Sequence, residues 1–244
     1  MPVSGHRLYW EIHGPEHGDS LVLLHHGLGS VRSWRNQIAH FSGKGWQVLA
    51  FDRWGYGSSD ERLDFNGDFM RQDAGEALEL LDGLGITRAS FLGHSDGGTI
   101  SLMLAADRPK LVERLVAIAA HIYWEPKTVA SIRKIRTSVD DPGMNSAWRR
   151  EHGDKGPALV KNWADGWLQE DMIGLDLTGV LPKISCPVLV IQGEEDEYAT
   201  PSQAVDLAKG IDAAQLWMIP NVGHMPPQEI SGQFNARVSS FLEN

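Results

Sequence analysis

The feature that most constrains this chain is an alternation of short, near-continuous apolar runs with longer stretches of helical period. The runs Leu21 to His25, Trp46 to Phe51, Ala89 to Gly93, Leu111 to Ala120, Pro187 to Gly193 and Gln215 to Pro220 are mostly bounded by Gly, Asp or Pro. A strand with one wet face alternates apolar with polar residues, whereas a strand covered by helices on both faces does not, so these runs predict buried parallel strands. Between them, Phe69 to Leu84 sets Ala74, Ala77, Leu78, Leu81 and Leu84 three and four apart on one helix face, and Gly85 sits where a helix commonly stops. Gly98 to Asp107, Ser202 to Lys209 and Gln228 to Leu242 read as three further helices, each after a strand, and Leu8 to His13 as an outer strand. The expected fold class is α/β, a mostly parallel β-sheet flanked by helices.

One stretch interrupts the pattern. His121 to Lys183 has few β-branched runs, several Gly and Pro, and four of the nine Trp, which predicts a helical cap inserted at 121–184 between core segments 1–120 and 185–244. Its charges balance, 9 Lys and Arg against 9 Asp and Glu, so the net charge of −10 resides on the rest of the chain. A deficit of cations argues against nucleic acid or an anionic membrane as partner, because both are bound through Lys and Arg. No apolar run approaches the roughly 18 residues of a membrane span, and the start Met1 to Trp10 lacks the pattern of a secretion signal. With the single Cys186, this leads to an expected cytoplasmic location. Oligomeric state is left open.

The sharpest local signal is Gly93-His94-Ser95-Asp96-Gly97-Gly98, a G-x-S-x-G directly after an apolar run and directly before a helical stretch. A serine at such a strand-to-helix turn has a strained backbone that small neighbours permit, and the following helix aims its amide dipole at the place where negative charge would develop. A nucleophilic Ser95 needs a base and an acid that orients the base. Asp196 lies just past the apolar run Pro187 to Gly193, among Glu194, Glu195 and Glu197; a short carboxylate on a tight turn makes Asp196 the first choice and Glu195 the fallback. His224 follows Gly223 and precedes Met225-Pro226 in the loop before the last helix, where glycine and proline can fix a loop histidine against a target. The chain order Ser, Asp, His adds an independent coincidence.

A tetrahedral intermediate needs two amide donors. Asp96 NH supplies one, and the loop His26-Gly27-Leu28-Gly29 after the first buried run offers a second, assigned to Leu28 NH. A negative Asp96 side chain beside a developing oxyanion would oppose catalysis, so it is expected to turn back to the helix start. His25 and His26 as a metal pair is the competing reading; adjacent strand residues face opposite ways and no third ligand stands at suitable spacing, so no metal or cofactor is expected.

On these motifs, together with Asp52-Arg53-Trp54-Gly55-Tyr56-Gly57-Ser58-Ser59 after the second buried run, the chain resembles the α/β-hydrolase superfamily in its branch with a small helical cap, over essentially its whole length. The resemblance implies Ser95 as nucleophile, His224 as general base and acid, Asp196 as its orienting partner, and the Leu28 and Asp96 amides as oxyanion hole. Two departures stand out: the N-terminus is short for the usual first hairpin, and Asp rather than an apolar residue follows Ser95. Serine at the elbow excludes the branches that use a carboxylate there. Similar proteins include carboxylesterases, enol-lactonases, carbon-carbon bond hydrolases and perhydrolases.

The expected function is a serine hydrolase that cleaves a small or medium carboxylic ester or related acyl bond, its partner a small-molecule acyl substrate. Two alternatives remain open: a carbon-carbon bond hydrolase or cofactor-free lyase on the same triad, and a non-catalytic ligand receptor. Trp163 and Trp167, one helical turn apart, could line a pocket or merely pack the cap; the same choice stands for His121 and Tyr123, which are not assigned to the site. Arg133, Lys134 and Arg136 around Ile132, Ile135 and Val139 read as a solvated helix face.

Overall fold

The computed structural model describes residues 2–243, the side chains at 171 and 173 excepted. A two-stranded ribbon, β1 (Pro2–Val3) and β2 (His6–Arg7), precedes a seven-stranded sheet. Its strands are β3 (Tyr9–His13), β4 (Ser20–Leu24), β5 (Gln47–Asp52), β6 (Ala89–His94), β7 (Val112–Ile118), β8 (Val188–Gly193) and β9 (Ala214–Ile219), in the order β3-β5-β4-β6-β7-β8-β9. β3 runs antiparallel to β5 at one edge, and every other pairing is parallel. The six apolar runs are therefore the six parallel strands, within a residue or two at each end. Each central strand sends alternate side chains to two separate cores: Val22, Leu49, Phe91 and Leu115 join one, while Leu23, Val48, Leu92 and Val116 join the other. Both faces are thus apolar, which is why these strands carry no polar alternation.

Helices complete the layers. α2 (Phe69–Gly83), α3 (Asp96–Asp107) and α8 (Pro201–Lys209) contribute Leu80, Ile100 and Leu207 to the first core, and α1 (Arg35–Gly43) and α10 (Ser231–Leu242) contribute Phe41 and Phe234 to the second. The stretch Gln228 to Leu242, expected as one helix, is two: α9 (Pro226–Glu229) ends at Ile230, whose φ of −130° and ψ of 40° leave the helical region before α10 begins. α1 has no counterpart in the sequence reading, because its apolar face consists of little more than Ile38 and Phe41. α3 begins two residues earlier than expected, at Asp96, which makes Ser95 the residue on which strand turns into helix.

The chain passes from β4 to β5 on one side and then recrosses to β6 on the other. At such a reversal the connections leave in opposite directions and open a crevice beyond the strands' carboxyl ends. The loop after β4 and the turn after β6 meet there. Between β7 and β8 the chain is helical, with α4 (Pro126–Ser138), α5 (Pro142–His152), α6 (Gly156–Trp167) and the short α7 (Glu170–Ile173). Proline stands in the first turn of the first three, and the Asp141 carboxylate caps α5 by accepting from Met144 N at 2.8 Å.

Candidate active site

Ser95 has φ 53° and ψ −118°, a conformation that costs a non-glycine residue energy and persists only where its surroundings fix it. Its amide donates to Ile118 O at 2.8 Å, tying the turn to β7. Gly97 is required for a separate reason: a Cβ there would lie 2.2 Å from Leu24 O, so only glycine lets α3 begin against the end of β4.

Asp196 and His224 are brought together from elements 28 residues apart. β8 ends at Gly193, where a Cβ would come 2.1 Å from Val222 O, so the acidic turn and the histidine loop lie in direct contact. Asp196 Oδ2 accepts from His224 Nδ1 at 2.9 Å, and Oδ1 accepts from the amides of Tyr198 and Ala199 at 2.8 and 3.1 Å. Burial alone would raise the Asp196 pKa; the His224 charge and these hydrogen bonds outweigh it and hold the carboxyl below its ordinary range. Glu194 and Glu195 are exposed, while Glu197 accepts from the His224 amide at 3.2 Å and fixes the loop backbone. His94, beside the elbow, donates from Nε2 to His224 O at 2.8 Å; burial pushes its pKa down to about 3, so the ring is neutral and can keep one fixed tautomer.

Ser95 and His224 line one cavity of about 200 Å³, together with Gly27, Leu28 and Asp96. The residues of both assigned amide donors therefore border the same space as the serine. Leu28 N lies 3.4 Å from His26 Nδ1, a long contact. The Asp96 side chain departs from expectation. Its Oδ2 accepts from Trp163 Nε1 at 2.9 Å, with Arg53 Nη2 at 3.8 Å, instead of capping its own helix. A buried carboxylate gains more from an indole N–H and a guanidinium than from helix amides alone, and Arg53 is itself anchored on Asp73 at 2.6 Å. Burial raises the Asp96 pKa, opposed chiefly by Arg53 and then by Trp163.

His25 is occupied on both ring nitrogens, by His26 O at 2.8 Å and by Arg53 N at 3.1 Å. Among the described residues no group of three or more His, Cys, Asp or Glu could hold a metal ion. Among them, too, no helix is long and apolar enough to cross a membrane.

The remaining walls come largely from the helical segment: Thr128, Ile132 and Ile135 of α4, Trp148 of α5, and Trp163 and Trp167 of α6. Both α6 tryptophans thus pack and line at once. Arg133, Lys134 and Arg136 lie outside this lining. Of the two residues left unassigned, His121 borders the cavity, whereas Tyr123 turns away to donate to Asp206 Oδ2 at 2.9 Å. Tyr198, its ring centroid 4.5 Å from that of His224, also borders the cavity. The sequence reading missed Tyr198; its place two residues after Asp196 was the available signal.

A model of the alpha/beta hydrolase fold matches residues 20–153. The chain belongs to the α/β-hydrolase family. Within that family, it is 29% identical over 250 residues to human serine hydrolase BPHL, covering all of this chain and 85% of that protein. It is 28% identical to the corresponding serine hydrolase BPHL of Mus musculus, again over all of this chain and 85% of that one. Among solved structures, the enol-lactonase from Burkholderia xenovorans LB400 superposes with a TM-score of 0.80 at 26% identity, over 99% of this chain and 98% of that one.

Proposed function

We propose that the protein is a serine hydrolase that cleaves a small or medium carboxylic ester or lactone through an acyl-enzyme on Ser95. The reading is carried by one observation: a buried carboxylate holds His224 through Nδ1 at 2.9 Å, in the same small cavity as a serine of left-handed φ. With Nδ1 donating to Asp196, Nε2 is left bare to accept the Ser95 proton. Oγ then attacks the substrate carbonyl, and its oxygen becomes an oxyanion facing the Leu28 and Asp96 amides. As that intermediate collapses, the bond to the leaving oxygen breaks and His224 returns the proton to it. Water, activated by His224 in turn, attacks the acyl carbon, and the acid and free Ser95 are regenerated.

The Asp96 charge so near the oxyanion would raise the barrier if it stood alone. The Arg53 guanidinium and the Trp163 indole N–H, both held against Asp96 Oδ2, offset that field, so the Asp96 amide can serve. The segment 121–184 acts as a cap: its apolar wall excludes water and strengthens each polar interaction within. The substrate is a small molecule, and the free Cys186 fits a reducing compartment such as the cytoplasm.

The relatives named above support hydrolysis, and bond type is the finer question. A panel of short-chain phenyl esters, lactones and a vinylogous diketone, tested on the parent and on Ser95→Ala, addresses it. Turnover of esters or lactones that falls by about 10⁴-fold or more in the variant is the expected result. Faster consumption of the diketone would move the assignment to carbon-carbon cleavage.

A further inference from the structure

His121 stands just past the carboxyl end of β7, 3% exposed, with both of its backbone polar groups bonded to one side chain. Its amide donates to Thr99 Oγ1 at 3.0 Å, and its carbonyl accepts from the same hydroxyl at 2.8 Å, on the helix that follows the nucleophile. The neighbouring Ile122 amide donates to Gln203 Oε1 at 2.9 Å. The ring is treated in the opposite way. Neither Nδ1 nor Nε2 has a well-formed hydrogen bond within the chain; the Tyr198 backbone stands close enough to act on one of them, and the ring borders the cavity that holds Ser95 and His224. Trp167 packs edge-on to it at 5.5 Å, and the His224 ring centroid is 6.2 Å away. A buried polar group left unpaired costs about 1–3 kcal/mol, and the Tyr198 backbone can serve only one of the two nitrogens, so the other calls for a partner from outside the chain.

We propose that His121 is a specificity-determining residue that binds a hydroxyl of the substrate, a few bonds from the reacting carbonyl. This rests on the serine hydrolase reading for the position of that carbonyl. Burial, and next the His224 charge, push the His121 pKa down to about 4, against upward pulls from Asp196, Glu125 and the Tyr198 backbone, so the ring is neutral near pH 7. A neutral imidazole offers one N–H and one bare nitrogen. It lacks the charge to hold a carboxylate firmly, and a carbonyl can serve only the N–H. A hydroxyl can accept from the one or donate to the other, and so suits either tautomer. The distance to His224 sets the place: an acyl carbon within reach of Ser95 leaves the first few atoms of the acyl chain beside His121. The other walls facing that chain are Ile132, Ile135 and Trp167, which reward an apolar remainder.

The test compares phenyl butanoate with its 2-hydroxy and 3-hydroxy counterparts on the parent, His121→Phe and His121→Asn, reading kcat/KM. The parent should prefer at least one hydroxy ester by about 10- to 100-fold over phenyl butanoate. His121→Phe should bring that ratio close to one, and His121→Asn, which keeps a donor and an acceptor, should restore part of it. Binding of the same three esters to Ser95→Ala, followed by quenching of the cavity tryptophans, repeats the comparison without turnover. A parent ratio near one in both measurements overturns the proposal, as does a preference that survives His121→Phe. Failure of the hydrolase reading looks different: Ser95 takes no fluorophosphonate label and no ester turns over, while the binding preference on Ser95→Ala still upholds or overturns the role of His121.

Discussion

The carboxyl edge of the sheet and the helical segment between β7 and β8 face each other across one cavity, yet they hold their side chains by different means. At the sheet edge, Ser95, Asp196 and His224 sit on turns where backbone meets backbone, and Gly97 and Gly193 touch main-chain carbonyls too closely for any side chain. In the helical segment, Trp163, Trp167 and Ile132 are held by side-chain packing, which yields to substitution in smaller steps. The sheet edge therefore fixes geometry, and the helical segment shapes the space. Chemistry and selectivity should separate accordingly when each region is altered.

The largest separation is expected between two acids on the same turn. Asp196→Asn should lower kcat for a turned-over ester by about 10⁴-fold, because the amide favours the wrong His224 tautomer, whereas exposed Glu195→Gln should stay within about twofold. Steady-state kinetics of the pair decides between them. If Glu195→Gln were the damaging change, the orienting acid would have been misassigned.

Glycines give the second contrast. Gly97→Ala drives a Cβ toward Leu24 O and should destabilise by about 3 kcal/mol or more, or prevent folding, while Gly179→Ala, with nothing within 4 Å, should change stability by less than about 0.5 kcal/mol. Urea denaturation of both variants measures the difference. Equal effects would mean that the two regions are not held differently.

How much of this was legible beforehand depended on which physical rule governs each residue. The six buried parallel strands could be read from apolar runs, and the elbow from glycine spacing between a run and a helix, because backbone constraints admit few residue types. The meeting of Asp196 with His224 follows the same rule, each residue announced by its position relative to a strand end. The Asp96 side chain was misread since its partners, Arg53 and Trp163, are 43 and 67 residues away and no local pattern couples them. The lining role of Trp163 and Trp167 was ambiguous for a related reason: packing and lining both require apolar residues one turn apart. α1 was missed because Ile38 and Phe41 alone do not make a stripe. His121 had a legible signal, its place just past a parallel strand, but only the structure reveals that its ring, buried at the cavity, lacks a full set of partners within the chain.

Across the boundary between the regions, Trp163→Phe removes the indole donor from Asp96 Oδ2 and leaves that carboxylate to Arg53. A loss of about 1–3 kcal/mol in stability is expected, with a smaller fall in kcat than in the Asp196 variant. Urea denaturation beside ester kinetics tests whether the helical segment supports the elbow or only covers it.

The smallest effect concerns acid. The Asp196 carboxyl has a lower pKa folded than unfolded, so the unfolded chain takes up its proton first. Its contribution to stability is complete above the ordinary value of 3.8 and is lost as pH falls below it toward the depressed folded value. Parent and Asp196→Asn should therefore converge in stability as pH falls through that window. Parallel curves would show that the pair with His224 adds nothing to the fold.

The most direct measurement is intact mass after treatment with a fluorophosphonate, on the parent and on Ser95→Ala. One adduct on the parent, absent from the folded variant, is the predicted result and would establish an activated serine at the elbow. No adduct on a folded parent, or an equal adduct on Ser95→Ala, would contradict the assignment of Ser95 as nucleophile.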